Sequence, residues 1–250
     1  MVLTCSARER RSASKSRCDQ AVLVFNVIIY AMKNLLSGSI ALLASLFSLT
    51  ACDSHFDFPD TSMREYDILC TDGDILRFHD YEKSGKEAIG VIFYVNNDPE
   101  VEGRGYAVYL YDLVPEAMSD TCGVSQRTSA DLDALDGNAN TYELMNAPNS
   151  SSPLAAAVFE LWRFGQSAYI PSVAQYRLLW GHKGGVNDML ARCGGDLLPD
   201  LAEDCWYWSS TEVSGQSSQK GWLFSMESGS IQETPKTQAH KSRPVITINY

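Results

Sequence analysis

The 250-residue chain has no Cys-x-x-Cys pair, no Gly-x-Ser-x-Gly elbow and no His-Glu-x-x-His run. The first absence excludes zinc ribbons and thioredoxin-like redox sites, which need two thiols at that spacing. The other two exclude the strained nucleophile turn of α/β-hydrolases and the zinc-bearing helix of metalloproteases. Basic side chains are few: 20 Lys and Arg face 31 Asp and Glu, a net charge of −11. So acidic a molecule repels phosphate backbones, and nucleic acid is not an expected partner. After residue 52 no charge-free apolar stretch reaches the ~20 residues that cross a bilayer as a helix. Internal repeats and low-complexity tracts are missing too. What is present, 45% apolar and 20% charged residues, suits a folded globule and is too apolar for a disordered chain.

The first fifty residues read as an address. From Met32 the chain runs Met-Lys-Asn, then an apolar segment from Leu35 to Leu49, then Leu49-Thr50-Ala51-Cys52. A basic start, a short apolar core and a small-residue cleavage site are the parts of an export signal. Leu-Thr-Ala-Cys resembles the lipobox of bacterial lipoproteins. That resemblance implies a lipid-modified Cys52 as the first mature residue and an outer-membrane lipoprotein of the bacterial cell envelope, on either face. Several acyl chains at ~0.8 kcal/mol per buried CH₂ anchor a protein stably. Residues 1–31, with five basic side chains and an apolar run from Ala21 to Ala31, do not fit this plan. They are read as an over-extended start, the alternative being a basic tail and membrane helix. The expected organisation is a signal peptide over 32–51, a tether over 52–66 and a single domain over 67–250. Removing residues 1–51 takes away six basic and two acidic side chains, which leaves the remainder more acidic still.

Beyond Cys52, four cysteines remain: Cys70, Cys122, Cys193 and Cys205. In an oxidising compartment four thiols allow two disulfides in three pairings. Cys193 and Cys205 flank Gly194-Gly195 and are the candidate pair. The alternative is four reduced thiols packed as small hydrophobes.

Asp72-Gly73 between Ile68–Thr71 and Asp74–Phe78 is a two-residue hairpin signal. Ile89–Val95 reads as a buried strand, and Tyr106–Leu113 as its partner across a polar loop. Residues 115–150 read as loop with one short helix after Asn140. Ser152-Pro153 is a helix start, with Leu154, Val158, Leu161 and Trp162 on one face. A second helix starts at Ser172, where Gln175 completes a capping-box pattern. A third runs from about Val186 to Cys193 and ends at Gly194. Trp206–Thr211, Gly221–Met226, Ser230–Thr234 and Pro244–Ile248 read as strands. Strands, helices, then strands again indicate one α+β domain rather than alternating βαβ units.

Five ordered segments carry a family resemblance: Gly137-Asn-Ala-Asn-Thr141, Tyr169-Ile-Pro-Ser172, Val186-Asn187 with Gly194-Gly195, Tyr207-Trp-Ser-Ser-Thr-Glu212, and Ser242-Arg-Pro-Val245. Together they resemble the C-terminal domain of the Legionella collagen-like adhesin and the Fibrobacter major paralogous domain, over roughly residues 130–250. The resemblance implies a C-type-lectin-like fold, related to that of the formylglycine-generating enzyme, in secreted or surface proteins that adhere or bind ligands. Gln175 stands where that family usually has Glu, and Tyr169-Ile170 replaces its Trp-Tyr-Leu.

The candidate site residues follow. Trp206, Trp208 and Trp180 are candidate sugar-stacking rings, since flat apolar faces suit the C–H faces of pyranoses. Alternation places Trp206 and Trp208 on one face of their strand and Tyr207 on the other, and one of those faces is expected to be core. Glu212 and Arg243 are read as buried, paired charges or loop caps, because an unpaired buried charge is costly. Ser172 and Gln175 are read as a helix cap. The stretch Asp131, Asp133, Asp136, Asn138, Asn140 and Glu143 is oxygen-rich, as calcium sites are, but Leu132 and Ala134 stand where an EF-hand needs ligands. It is therefore read as an acidic loop capping a helix, with calcium as the alternative. The Trp-Asn-Asp strand of calcium-dependent lectins has no counterpart, since Trp208 is followed by Ser209-Ser210. His55, His79, His182 and His240 are scattered among polar residues and are read as surface imidazoles. No cofactor, catalytic residue or resident metal is expected. The function expected is non-catalytic binding of a glycan, peptide or matrix component by a membrane-anchored protein; the alternative is a structural or assembly component of a surface complex, and an enzyme is the third and least favoured reading.

Overall fold

Ile68–Cys70 (β1) and Ile75–Leu76 (β2) form the hairpin that Asp72-Gly73 announces. Gly73 takes φ +96°, and its N–H donates to the Cys70 carbonyl at 3.0 Å. The computed structural model from which these contacts come describes residues 62–98, 103–163, 166–201 and 204–249. Cys52 and the expected signal segments lie outside the described residues. The described residues belong to one compact unit, residues 61–250.

Phe78–Ser84 (α1) follows, where the sequence reads as the end of a strand. Gly85, at φ +67°, closes it in the left-handed conformation that glycine adopts without a Cβ clash. Ala88–Val95 (β3) and Gly105–Tyr109 (β4) pair antiparallel. β4 ends four residues before the expected Leu113, because Leu110 turns away to accept from Asp196 N and from Arg243. Glu116–Ala117 (β5) is a two-residue edge.

Gly137–Asn146 (α2) begins three residues earlier than Asn140, and Pro153–Phe159 (α3) starts at the expected Ser152 cap. Short strands Trp162–Arg163 (β6) and Gln166–Ser167 (β7) then pair with each other. Val173–Gly181 (α4) and Lys183–Cys193 (α5) are separated by His182 alone. The remaining strands are Trp206–Glu212 (β8), Lys220–Ser225 (β9), Ile231–Pro235 (β10), Ala239–His240 (β11) and Val245–Ile248 (β12).

The chain is thus α+β, with antiparallel sheets. Five strands lie in the order β12-β4-β3-β1-β2 and three in the order β10-β9-β8. The last strand pairs with β4, so β1 and β12, the first and last strands of the described residues, lie in one sheet. One apolar cluster joins Val91, Phe93 and Val108 of the larger sheet to Val173, Tyr176 and Leu190 of α4 and α5, and to Tyr207 and Phe224 of the smaller sheet. A second cluster holds Trp208 and Leu223 against Leu144 of α2 and Leu154 and Val158 of α3. β8 is therefore covered on both faces, the Trp face by helices α2 and α3 and the Tyr face by the main core. No helix among the described residues is long and apolar enough to cross a membrane.

Two expectations are corrected. The tether does not extend to residue 66: Tyr66 N–H donates to Ile92 O at 2.7 Å, and Tyr66 packs on the main core. Its ring lies so close to Gly185 that a Cβ there would fall 2.5 Å from it. The Cys193–Cys205 bridge is not formed; all four described cysteines carry reduced thiols. Cys205 is buried beside Ser225, whose hydroxyl donates to its sulfur at 3.3 Å. Cys193 ends α5 at the part of the core that holds Cys70. Burial pushes the Cys70 thiol up to about 11, which leaves it protonated and unreactive.

Candidate functional site

The five motif segments are joinery. At Gly137 a Cβ would lie 2.7 Å from Ile170 O and 2.8 Å from Ser172 N, so only glycine lets α2 approach the turn before α4. Asn140 Oδ1 accepts from Ser129 N at 2.8 Å while its Nδ2 donates to Asp136. Thr141 Oγ1 accepts from Ile170 N at 2.9 Å. Ser172 and Gln175 form the reciprocal capping box: Ser172 N donates to Gln175 Oε1 at 3.0 Å, and Gln175 N to Ser172 Oγ at 3.3 Å. Gln175 Nε2 also donates to the Tyr169 hydroxyl at 3.1 Å, a neutral bond that the amide makes and a carboxylate could only accept. Thr211 Oγ1 accepts from Val173 N, Ser210 N donates to Pro171 O, and Asn187 holds both backbone groups of Leu198.

The two motif charges have separate partners. Arg243 is 0% exposed; Nε donates to Asp112 Oδ1 at 2.5 Å, and its other nitrogens donate to the carbonyls of Tyr109, Leu110 and Asp196 at 3.0–3.1 Å. Asp112 also accepts from the Tyr207 hydroxyl at 3.0 Å and pairs with Lys241 at 3.2 Å. Glu212 is 1% exposed and pairs with Lys236, which is 0% exposed. Burial pushes the Lys236 ammonium below the usual lysine range, against the pull of Glu212. Lys236 Nζ also donates to Gln126 Oε1 at 3.1 Å. Sequence reasoning missed Lys236, Gln126 and Asp112, since no local pattern marks a partner chosen across the fold.

The three candidate tryptophans do not share one surface. Trp208 is fully buried, its indole N–H donates to Gln238 O at 3.1 Å, and His240 meets its ring edge-on at 5.6 Å. It is a core residue, and its candidacy as a stacking face is withdrawn. Trp206 is half-buried against the same cluster. Trp180 is the most exposed of the three, at 41%. Its indole N–H donates to Glu227 O at 3.4 Å, and the ring lies over Gly229, where a Cβ would come within 3.1 Å. Next to it Lys183 Nζ donates to Met226 O at 2.8 Å and pairs with Asp200 at 2.6 Å. The turn over 226–229, Trp180, Lys183 and Asp200 thus form one surface with an aromatic face bordered by both signs of charge.

The oxygen-rich stretch is occupied by its own chain. Asp131 Oδ1 accepts from Asp133 N, Asp133 pairs with Arg177 at 2.6 Å, and Asp136 holds Asn140. Burial raises the Asp136 carboxyl above the usual range. Among the described residues no group of three His, Cys, Asp or Glu side chains is placed to hold a metal ion. Of the histidines, His182 lies 3.1 Å from the Tyr66 hydroxyl and His240 is half-buried, so neither is a free surface imidazole. An open groove of about 590 Å³ is lined by Phe78, His79, Glu82 and Arg192, and the Arg192 guanidinium stacks over the Phe78 ring at 4.8 Å. Comparison with known families found no family model that matches this chain, and comparison with curated proteins found no match either.

Proposed function

We propose that this is a non-catalytic, lipid-anchored protein of the bacterial cell envelope whose C-type-lectin-like domain binds a glycan, peptide or matrix component. The lipobox resemblance at Cys52 supports the anchor, and the five ordered motifs support the lectin-like fold. The observation that carries the binding reading is Trp180. Its ring is exposed yet held by an indole hydrogen bond and a glycine turn, so little freedom is lost when a ligand covers it. A pyranose face on that ring finds polar partners in Lys183 and Asp200. The motif residues point inward, which leaves recognition to surface side chains outside the motifs.

A glycan and matrix-component array probed with the purified protein tests this. The expected result is binding that Trp180→Ala lowers at least tenfold and Trp206→Ala leaves within twofold. Binding nowhere, or binding indifferent to Trp180, refutes it. Assembly into a surface complex is the second reading, favoured by Leu197 and Leu201, which are 52% and 77% exposed in the loop after α5. Loss of a co-purifying partner on Leu201→Ser, with array binding absent, would select it.

A further inference from the structure

Three segments far apart in sequence bring a lysine, a carboxamide and a carboxyl together in the interior. Lys236 follows β10, Glu212 ends β8, and Gln126 lies in the loop before α2; their exposures are 0%, 1% and 0%. Lys236 Nζ contacts both Glu212 Oε1 and Gln126 Oε1. Strand register puts Glu212 and Thr234 opposite the same residue, Gly221, which adds no side chain to the row. Gln126 Nε2 has no hydrogen-bond partner among the described residues, and the same holds for the buried hydroxyls of Thr128 and Thr234. An orphaned amide donor beside a buried ion pair is an expensive arrangement for a folded protein to keep.

We infer that these residues form an intramolecular isopeptide cross-link between Lys236 Nζ and the side-chain carbonyl carbon of Gln126, with Glu212 as the proton carrier. The ammonium of Lys236 first gives one proton to Glu212, and the neutral amine attacks the Gln126 carbonyl carbon. A second proton leaves the new C–N nitrogen and passes through Glu212 to Gln126 Nε2. The bond from that carbon to Nε2 then breaks, and ammonia departs. A secondary amide and a neutral Glu212 carboxyl remain, so atoms and charge balance and no oxidant is needed. Burial favours the neutral amine of Lys236 over the ammonium, which supplies the nucleophile. Fixed contact between the reacting groups replaces a bimolecular encounter with a far faster local one. The product removes both the buried charges and the orphaned donor. It also ties together positions 110 apart in the chain, which restricts the unfolded state.

A reduced, alkylated tryptic digest of the purified full chain, read by mass spectrometry, tests the cross-link. Arg104, Arg127, Lys220 and Lys241 bound the relevant peptides, and Lys236 is itself a cleavage site. The expected result is a branched species joining residues 105–127 to 221–241, one ammonia lighter than the two together, with Lys236 uncut. Gln126→Ala, which leaves the Lys236–Glu212 pair in place, is expected to abolish it and restore cleavage after Lys236. Glu212→Gln is expected to abolish it as well. Free 105–127 with quantitative cleavage after Lys236 in the wild type overturns the inference. So does a branched species joining 193–220 to 221–241 with loss of water, which would make Glu212 the acceptor.

Discussion

Asp112→Ala should unfold this domain far more readily than its position at the surface edge of a loop suggests. The Asp112 side chain is 18% exposed, but the guanidinium that it neutralises is 0% exposed. Removal leaves Arg243 with the carbonyls of Tyr109, Leu110 and Asp196 and no counter-charge, and it takes the acceptor from the buried Tyr207 hydroxyl. Burial has already raised Tyr207 well above the usual phenol range, so the hydroxyl stays a donor and cannot supply the missing charge. Breaking a buried pair from one side costs ~3–5 kcal/mol. Asp112 borders solvent, and water can enter the vacated space, so the lower end applies, ~3 kcal/mol. For a domain of this size that corresponds to a fall of ~6–12 °C in Tm. Lys241 keeps Asp204 at 3.0 Å and adds little to the loss. Asp112→Asn retains an acceptor near Arg243 Nε and should lose less, ~1–2 kcal/mol. Urea unfolding followed by tryptophan fluorescence measures each variant. A double-mutant cycle with Arg243→Met should show coupling above ~1.5 kcal/mol. Additive effects, or an Asp112→Ala variant within ~0.5 kcal/mol of wild type, would refute the reasoning.

Adjacent glycines in α5 should respond with opposite signs. Gly184→Ala meets nothing within 4 Å and should gain up to ~1 kcal/mol of helix stability, whereas Gly185→Ala meets the Tyr66 ring and should lose ~1–3 kcal/mol, both read from urea midpoints. Burial lowers the His240 imidazole below its ordinary 6.5, so the fold favours its neutral form. Its contribution is therefore intact above pH 6.5 and lost as pH falls through that value toward the folded-state value. The difference in unfolding free energy between wild type and His240→Phe should narrow from pH 8 to pH 5, and pH-independent spacing of the two curves would count against this.

Local pattern was enough for the elements whose signals are self-contained. Ser152-Pro153 and Ser172 with Gln175 begin helices because their caps act within four residues. Asp72-Gly73 turns a hairpin because the turn needs only its own glycine. α1 escaped such a reading, since Arg77 offers no side-chain cap and none of its residues is fully buried. The apolar face of Phe78 and Tyr81 is the signal that could have found it; both pack on the main core from the partly exposed side.

Composition, periodicity and caps by themselves determined an acidic α+β chain and the order of its main helices and strands. These properties depend on residues a few positions apart, where backbone geometry fixes who meets whom. Only the tertiary structure decided that Trp208 is core while Trp180 is surface, that Arg243 answers to Asp112 and Glu212 to Lys236, and that Cys205 lies by Ser225 rather than Cys193. Each of those outcomes joins residues brought together by sheet register and helix packing, and a one-dimensional pattern carries no record of which distant side chain fills the space opposite.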